Sequence, residues 1–330
     1  MEIQRCGGES PCLAFGACAS ADSGRLLLWH GGTGKEGGVP SGNLVLFDTA
    51  HEKWYTVENG PARSHHGAFV SNDRYFHVVG GWDGAKRTHD ISTFDTRGGE
   101  WIKHWRPTKF PEGGGLSSHT VSGLTPGASG QTGAVVIGRL GGLRTQRCHS
   151  ALLRIKGDLR AGFGFEGPIE REIESRGGHS AVGIGPRTLE LLGGRADPFV
   201  GMQTEEVVLP DSFPSLQRSF WKRSSIELTA EAMAQTALSG RRYQAYVALS
   251  DQMILMHGGE PFGRMMIGQN TISSDLWVLS RDGKRWRVQQ KELPALYGHS
   301  MIPIDRGHRL AVVGGLNSGG KPSRQLLIIS

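Results

Sequence analysis

A short apolar run that ends in a pair of glycines recurs along this chain, and this recurrence limits the fold more than any other feature. Leu26–His30 leads into Gly31-Gly32, and Tyr75–Val79 leads into Gly80-Gly81. Leu189–Leu192 precedes Gly193-Gly194, Met253–His257 precedes Gly258-Gly259, and Leu310–Val313 precedes Gly314-Gly315. Successive pairs lie about 50 to 65 residues apart, except for one gap about twice as long, which Val135-Val136-Ile137-Gly138 divides. A period of this length means that one supersecondary unit is repeated and stacked on its neighbours.

Other markers move in phase with the glycines. His66, His119, His179 and His299 each stand one strand ahead of the pair, with Gly16 and Gln244 in the matching slots of the remaining units. An apolar strand ending near Asp48 or Asp95 follows the pair, and then comes a tryptophan, as at Trp54, Trp101 and Trp286. Glycine permits close backbone approach near a crowded axis, and an indole covers the flank of an adjacent unit. The histidines suit the satisfaction of neighbouring backbone, with a metal site as the competing reading.

The spacing predicts an all-β, six-bladed β-propeller with four antiparallel strands per blade, forming a single domain over residues 1–330. The blades fall at about Cys12–Val57, Arg63–Lys109, Leu116–Gly167, Arg176–Leu238, Arg241–Lys291 and 296–330. The last one runs out of chain before its fourth strand. Because an open edge invites aggregation, residues 2–6 are expected to close it beside Gln325–Ile329. Thr229–Leu238 has a capping threonine, good helix formers and a terminating Gly240, which predicts a short helical insertion between blades four and five.

Composition narrows the function. The chain has 330 residues, 37% hydrophobic and 21% charged, enough to bury a core. Its formal net charge of +6 favours acidic partners. The densest basic patches, Lys284–Arg287 and Arg241-Arg242, are too short to mark a nucleic-acid surface. The four cysteines contain no CxxC and read as free thiols of a reducing compartment. No apolar run approaches the ~18 residues of a membrane span. The mildly apolar Cys12–Ala21 follows a Gly- and Pro-bearing stretch with one nearby cation, Arg5, and reads better as a strand than as a signal peptide. The expected location is cytoplasmic or nuclear, with no membrane and no nucleic acid as partner.

Taken together, these residues resemble the kelch repeat family over nearly the whole chain. The period is that of kelch repeats, about 50 residues, and not the 40–45 of WD40 repeats. A narrower likeness within the family rests on Arg63–His66, Val78–Gly84, Leu116–Thr120, Gly141-Gly142 with Thr145-Gln146-Arg147, and Thr271-Ile272 with Asp275-Leu276. This resemblance implies a six-bladed propeller with no catalytic residues; no cofactor or metal is expected, since the slot histidines belong to different blades. It also implies, by family likeness only, a cyclin as one partner.

Fold alone does not fix function. The leading reading is a protein-interaction scaffold or adaptor. The alternative is the substrate-recognition subunit of a ubiquitin ligase, although Ser215-Leu216 through Phe220 lacks the cysteine that a ligase-docking box wants. A kelch-like enzyme is the rival class. However, Cys148 and His149 point to opposite faces of a strand, and no carboxylate pair can be assembled from sequence. The loops after each glycine pair and those before each histidine slot leave the same rim of a four-stranded blade. The candidate partner-binding residues are therefore Arg63, Trp82, Arg87, Ser117, Ser118, Arg144, Arg147, Arg176, Arg195, Arg242, Phe262 and Tyr297. Arginine forks among aromatics suit an acidic segment or a C-terminal carboxylate.

Overall fold

In a computed structural model the chain is all-β, and residues 2–108, 110, 114–124, 132–141, 150–169, 177–184, 188–194, 204–208, 220–224, 241–261, 272–280, 285–288 and 293–330 are described. The first sheet holds Ala17–Ala21, Leu26–His30, Leu44–Asp48 and Lys53–Val57 in that order. Gly67–Ser71, Tyr75–Trp82, Arg87–Asp95 and Glu100–Trp105 follow as a second antiparallel meander. A single pair, Leu116 with Thr88, joins it to a third meander of Gly115–Leu124, Thr132–Gly141, Ser150–Asp158 and Gly162–Ile169. Ser180–Gly183, Thr188–Leu192, Thr204–Val208 and Phe220–Ser224 form the next sheet. Ala245–Ala248, Met253–His257, Leu276–Ser280 and Arg285–Val288 form the one after.

The last sheet takes three strands from the C-terminal end of the chain and one from the N-terminal end. Tyr297–Ile304, Arg309–Leu316 and Leu326–Ile329 lie in order, and Ile3–Cys6 occupies the outer edge. Ile3 faces Ile329 and Cys6 faces Leu326. The helix expected at Thr229–Leu238 lies outside the described residues, as do the side chains of Trp221 and Trp286.

Strand burial follows position in the sheet. Leu44–Asp48, third in its sheet, is buried throughout, whereas the outer Lys53–Val57 is mostly exposed. The first strand of each sheet packs against the first strands of the sheets on both sides, and Tyr297–Ile304 returns to Ala17–Ala21. The apolar clusters accordingly straddle seams. Leu28, Leu44 and Leu46 meet Phe76, Val78 and Phe94, with Trp101 against them. Trp29, Val45 and Phe47 meet Ile304, Val313 and Ile328, with Trp54 alongside. Each such side chain removes roughly 1.5–3 kcal/mol worth of apolar surface from water, so neighbouring sheets hold one another.

The glycine pair is the notch in which each seam locks. The second glycine faces the histidine slot of its own sheet. A Cβ on Gly81 would sit 2.6 Å from His66 Cβ, and one on Gly315 would sit 2.7 Å from His299 Cβ. Both residues also hold φ in the left-handed region, at +100° and +89°. Gly138 faces His119 in the same way, which confirms its place as the degenerate member of the series. The first glycine faces the slot of the next sheet: Gly31 meets His66, Gly193 meets Gln244, and Gly258 meets His299. Between the last sheet and the first, the slot residue is Gly16, and the indole of Trp29 fills the space against Gly314.

Candidate functional site

The residue before each slot builds the mouth of the ring. Phe15, His65, Ser118, Gly178, Tyr243 and Gly298 all hold left-handed backbone angles, with φ of 57°, 53°, 55°, 71°, 57° and 66°. Their peptide groups form a closed hydrogen-bonded circuit. His65 N donates to Phe15 O at 2.8 Å, Ser118 N to His65 O at 2.8 Å, and Gly178 N to Ser118 O at 3.1 Å. Tyr243 N then donates to Gly178 O, Gly298 N to Tyr243 O, and Phe15 N to Gly298 O. The turned backbone of this circuit satisfies itself without water.

Aromatic side chains cover the circuit. Phe15 lies over Gly298 and Tyr243 over Gly178, where any Cβ would collide with the ring. Phe15 stacks on His65 at 4.5 Å and meets Tyr243 and Tyr297 edge-on at 5.0 and 5.6 Å. These aromatics and the inner strands line an open pocket of about 250 Å³, whose wall includes the small residues Ala17, Gly67 and Ala181 and the slot residues His119, Gln244 and His299.

The buried histidines tie sheet to sheet. His66 Nε2 lies 3.0 Å from His30 Nδ1, and His299 Nε2 lies 2.9 Å from His257 Nδ1. His119 Nε2 donates to Val79 O at 3.1 Å, which fixes its proton on Nε2. Gln244 uses its amide in the same way toward Leu192 O. Burial holds His30 down to about 3, and His119 and His257 down to about 4, so all three are neutral imidazoles. Among the described residues, no three His, Cys, Asp or Glu side chains come together as metal ligands.

The candidate partner residues divide into distinct environments. Arg63 is 9% exposed and donates to Ala62 O and to the Asp90 carboxylate. Arg87 is 7% exposed and sits across the ladder from the half-buried Trp82. Both arginines are therefore packed within the fold, in contrast to the solvent-facing rim that the sequence led us to expect. Ser118 belongs to the circuit, Ser117 precedes it in the same strand, and Tyr297 is buried beside Phe15. Arg242 is half-buried at the mouth, 2.7 Å from Glu260 and 3.6 Å from Glu36, with its guanidinium over the Tyr243 ring. Burial works against its charge, but the hydrogen bond to Glu260 and the nearby anions prevail and raise its pKa. Arg144, Arg147, Arg176, Arg195 and Phe262 lie outside the described residues.

Sequence reasoning missed two features. Val39, 89% exposed, stands in the loop after Gly31-Gly32 with the exposed Lys35. That loop packs toward Gly84 through Pro40, beside the exposed Lys86. The mouth aromatics were also overlooked, although Phe15 and Tyr243 each directly precede a slot residue and alignment of the units would have exposed them.

An all-β array of four-stranded meanders, packed inner strand to inner strand and locked by glycine pairs against histidine slots, has the architecture of a β-propeller. The chain is 29% identical over 334 residues to Kelch domain-containing protein 9 of Mus musculus, covering 93% of this chain and 88% of that protein. It is 28% identical over 332 residues to Kelch domain-containing protein 9 of Homo sapiens, with the same coverage. These similarities bear out the kelch resemblance. No protein-family model matches the chain. The solved structure of YjhT superposes with a TM-score of 0.68 at 14% identity, covering 96% of this chain and 95% of that one, which is a likeness of fold.

Proposed function

We propose that the chain is a single six-bladed propeller and a non-catalytic platform that binds another protein on its loop face. The closed circuit through Phe15, His65, Ser118, Gly178, Tyr243 and Gly298 supports six units around one axis. The observation that carries the binding reading is the approach of two loops that carry exposed residues. Pro40, in the loop with the exposed Lys35 and Val39, lies 3.6 Å from the Cβ position of Gly84, in the turn with the exposed Lys86 that follows the strand ending at Trp82. An isolated exposed valine means little. On a loop with Lys35 that approaches the turn with Lys86, it offers an apolar contact near two unburied cations, as a protein interface does. The buried histidines are engaged in seams and are neutral, so they serve architecture.

The partner presents an acidic segment or a C-terminal carboxylate. Affinity capture with the wild-type chain and with a Lys35→Glu, Lys86→Glu double variant, at about 0.15 M and about 1 M salt, tests this reading, because exposed charges are screened beyond about 8 Å at physiological ionic strength. A partner that the double variant loses and high salt weakens supports it. A partner retained equally under all these conditions places the binding surface elsewhere.

A further inference from the structure

We infer that Arg242 is the seat for the partner's carboxylate and that Glu36 occupies this seat in the free protein, as a built-in competitor. The inference rests on the acidic-partner reading above and gives it a residue. Glu36 belongs to the loop of the first sheet, whereas Arg242 belongs to the approach to the sheet that begins at Ala245. The loop therefore reaches past the last sheet, whose Tyr297 feels the charges of both Glu36 and Glu260.

The two carboxylates on Arg242 are unequal. Glu260 is held at 2.7 Å on Nε and is itself only 21% exposed. Its partner strand fixes it, since Glu260 pairs with Arg242 through the backbone. Glu36 stands 3.6 Å from Nη2 and is 49% exposed. It sits between Gly34 and the Gly37-Gly38 pair, and Gly37 holds φ at +69°. An exposed pair at that distance contributes little, so Glu36 is an exchangeable occupant while Glu260 is a fixed one. An arginine that keeps a fork edge for a second carboxylate, over an aromatic ring 5.1 Å away, has the chemistry of a carboxylate receptor. Lys35 and Val39, already exposed on the same loop, are available to the incoming chain.

The probe is a fluorescein-labelled oligoglutamate peptide with a free C-terminus, followed by anisotropy on the full chain. Glu36→Gln is expected to tighten binding about two- to fivefold, the range set by one exposed ion pair. Glu52→Gln, which removes the same charge from a turn at the opposite end of the first sheet, is expected to change it much less. Arg242→Gln is expected to abolish the gain when combined with Glu36→Gln, and Arg242→Lys, which keeps the charge but not the fork, is expected to recover only part of it. Melting curves of the Arg242 variants report that they are folded. Equal or weaker binding by Glu36→Gln overturns the competitor role while leaving the acidic-partner reading intact. A gain that survives in the double variant overturns Arg242 as the seat. Absence of peptide binding by every variant overturns both readings.

Discussion

His66 Nε2 lies 3.0 Å from His30 Nδ1, and the two imidazoles are buried at the seam between the first sheet and the second. The same relationship recurs between His299 and His257 at 2.9 Å. Burial depresses the pKa of all four, with His30 at about 3 and His257 at about 4 against an ordinary 6.5. His77, between Ser71 and Thr93, is also held down to about 3 by burial. Groups whose folded pKa is depressed bind protons more readily in the unfolded chain. Their stabilising effect is therefore complete above about pH 6.5 and is lost as pH falls toward 4. Each such histidine contributes a slope approaching about 1.4 kcal/mol per pH unit within that window. Asp48 and Asp95, held low by Arg25 and Arg74, titrate below it. Urea denaturation at pH 7.5, 5.5 and 4.5 should show a steep loss of stability, and a flat profile would contradict the neutral histidine seams.

Replacing Gly81 or Gly315 by valine should destabilise the fold by a few kcal/mol. Each site combines a left-handed backbone with a Cβ position 2.6 or 2.7 Å from the Cβ of the facing histidine. A β-branched side chain meets both penalties at once. Thermal melts check this, and a variant that keeps its midpoint but loses its partner would assign the glycine to ligand contact instead.

Trp29 takes the place that histidine or glutamine holds at other seams. A Cβ on Gly16 would lie 2.5 Å from Trp29 Nε1, and the far edge of the indole fills the space beside Gly314. Trp29→Ala should cost about 3–5 kcal/mol through the cavity it leaves. Gly16→Val should cost a comparable amount by collision with the same ring. Denaturant midpoints of both variants measure this, and a near-neutral Gly16→Val would show that the indole is free to move.

The glycine period was legible because it reflects a local requirement repeated in every unit: no Cβ fits between a strand end and the facing slot. Even Gly138, where the pair is imperfect, could be placed by spacing alone. The slot histidines were legible in register and in kind, but their partners were not, since His30 and His257 come from neighbouring sheets. The binding face was the least legible. Arg63 leads into its slot, as a rim residue should, yet Asp90 lies close enough on a later strand of the same sheet to draw it inward. Exposure is settled by such long-range pairs. For the same reason, Val39 and Glu36 looked like ordinary loop residues until their neighbours were known.

The outer edge of the last sheet depends on residues from the other end of the chain. Ile3–Cys6 pairs antiparallel with Leu326–Ile329, and reciprocal bonds between Glu2 and Ser330, at 3.0 and 3.1 Å, extend the ladder by one step. Cys6 is buried in the cluster that holds Trp29 and Phe47, while Ile3 packs against the cluster of Leu327 and Ile329. Leu326–Ile329 is buried at every position. Deleting residues 1–6 therefore removes apolar contacts on both faces and leaves a strand of four apolar residues as a bare edge. Net backbone hydrogen bonds contribute about 1 kcal/mol each and buried aliphatic side chains about 1.5–3 kcal/mol, so the truncated chain should lose several kcal/mol. An uncovered apolar edge is also a template for association. The deletion should thus lower the melting midpoint and raise light scattering on heating, more so at higher protein concentration. Arg5→Pro, which removes a backbone donor from the same strand, should reproduce part of the effect without shortening the chain. Unchanged melts for both variants would show that the ring is closed by the remaining sheets without this strand.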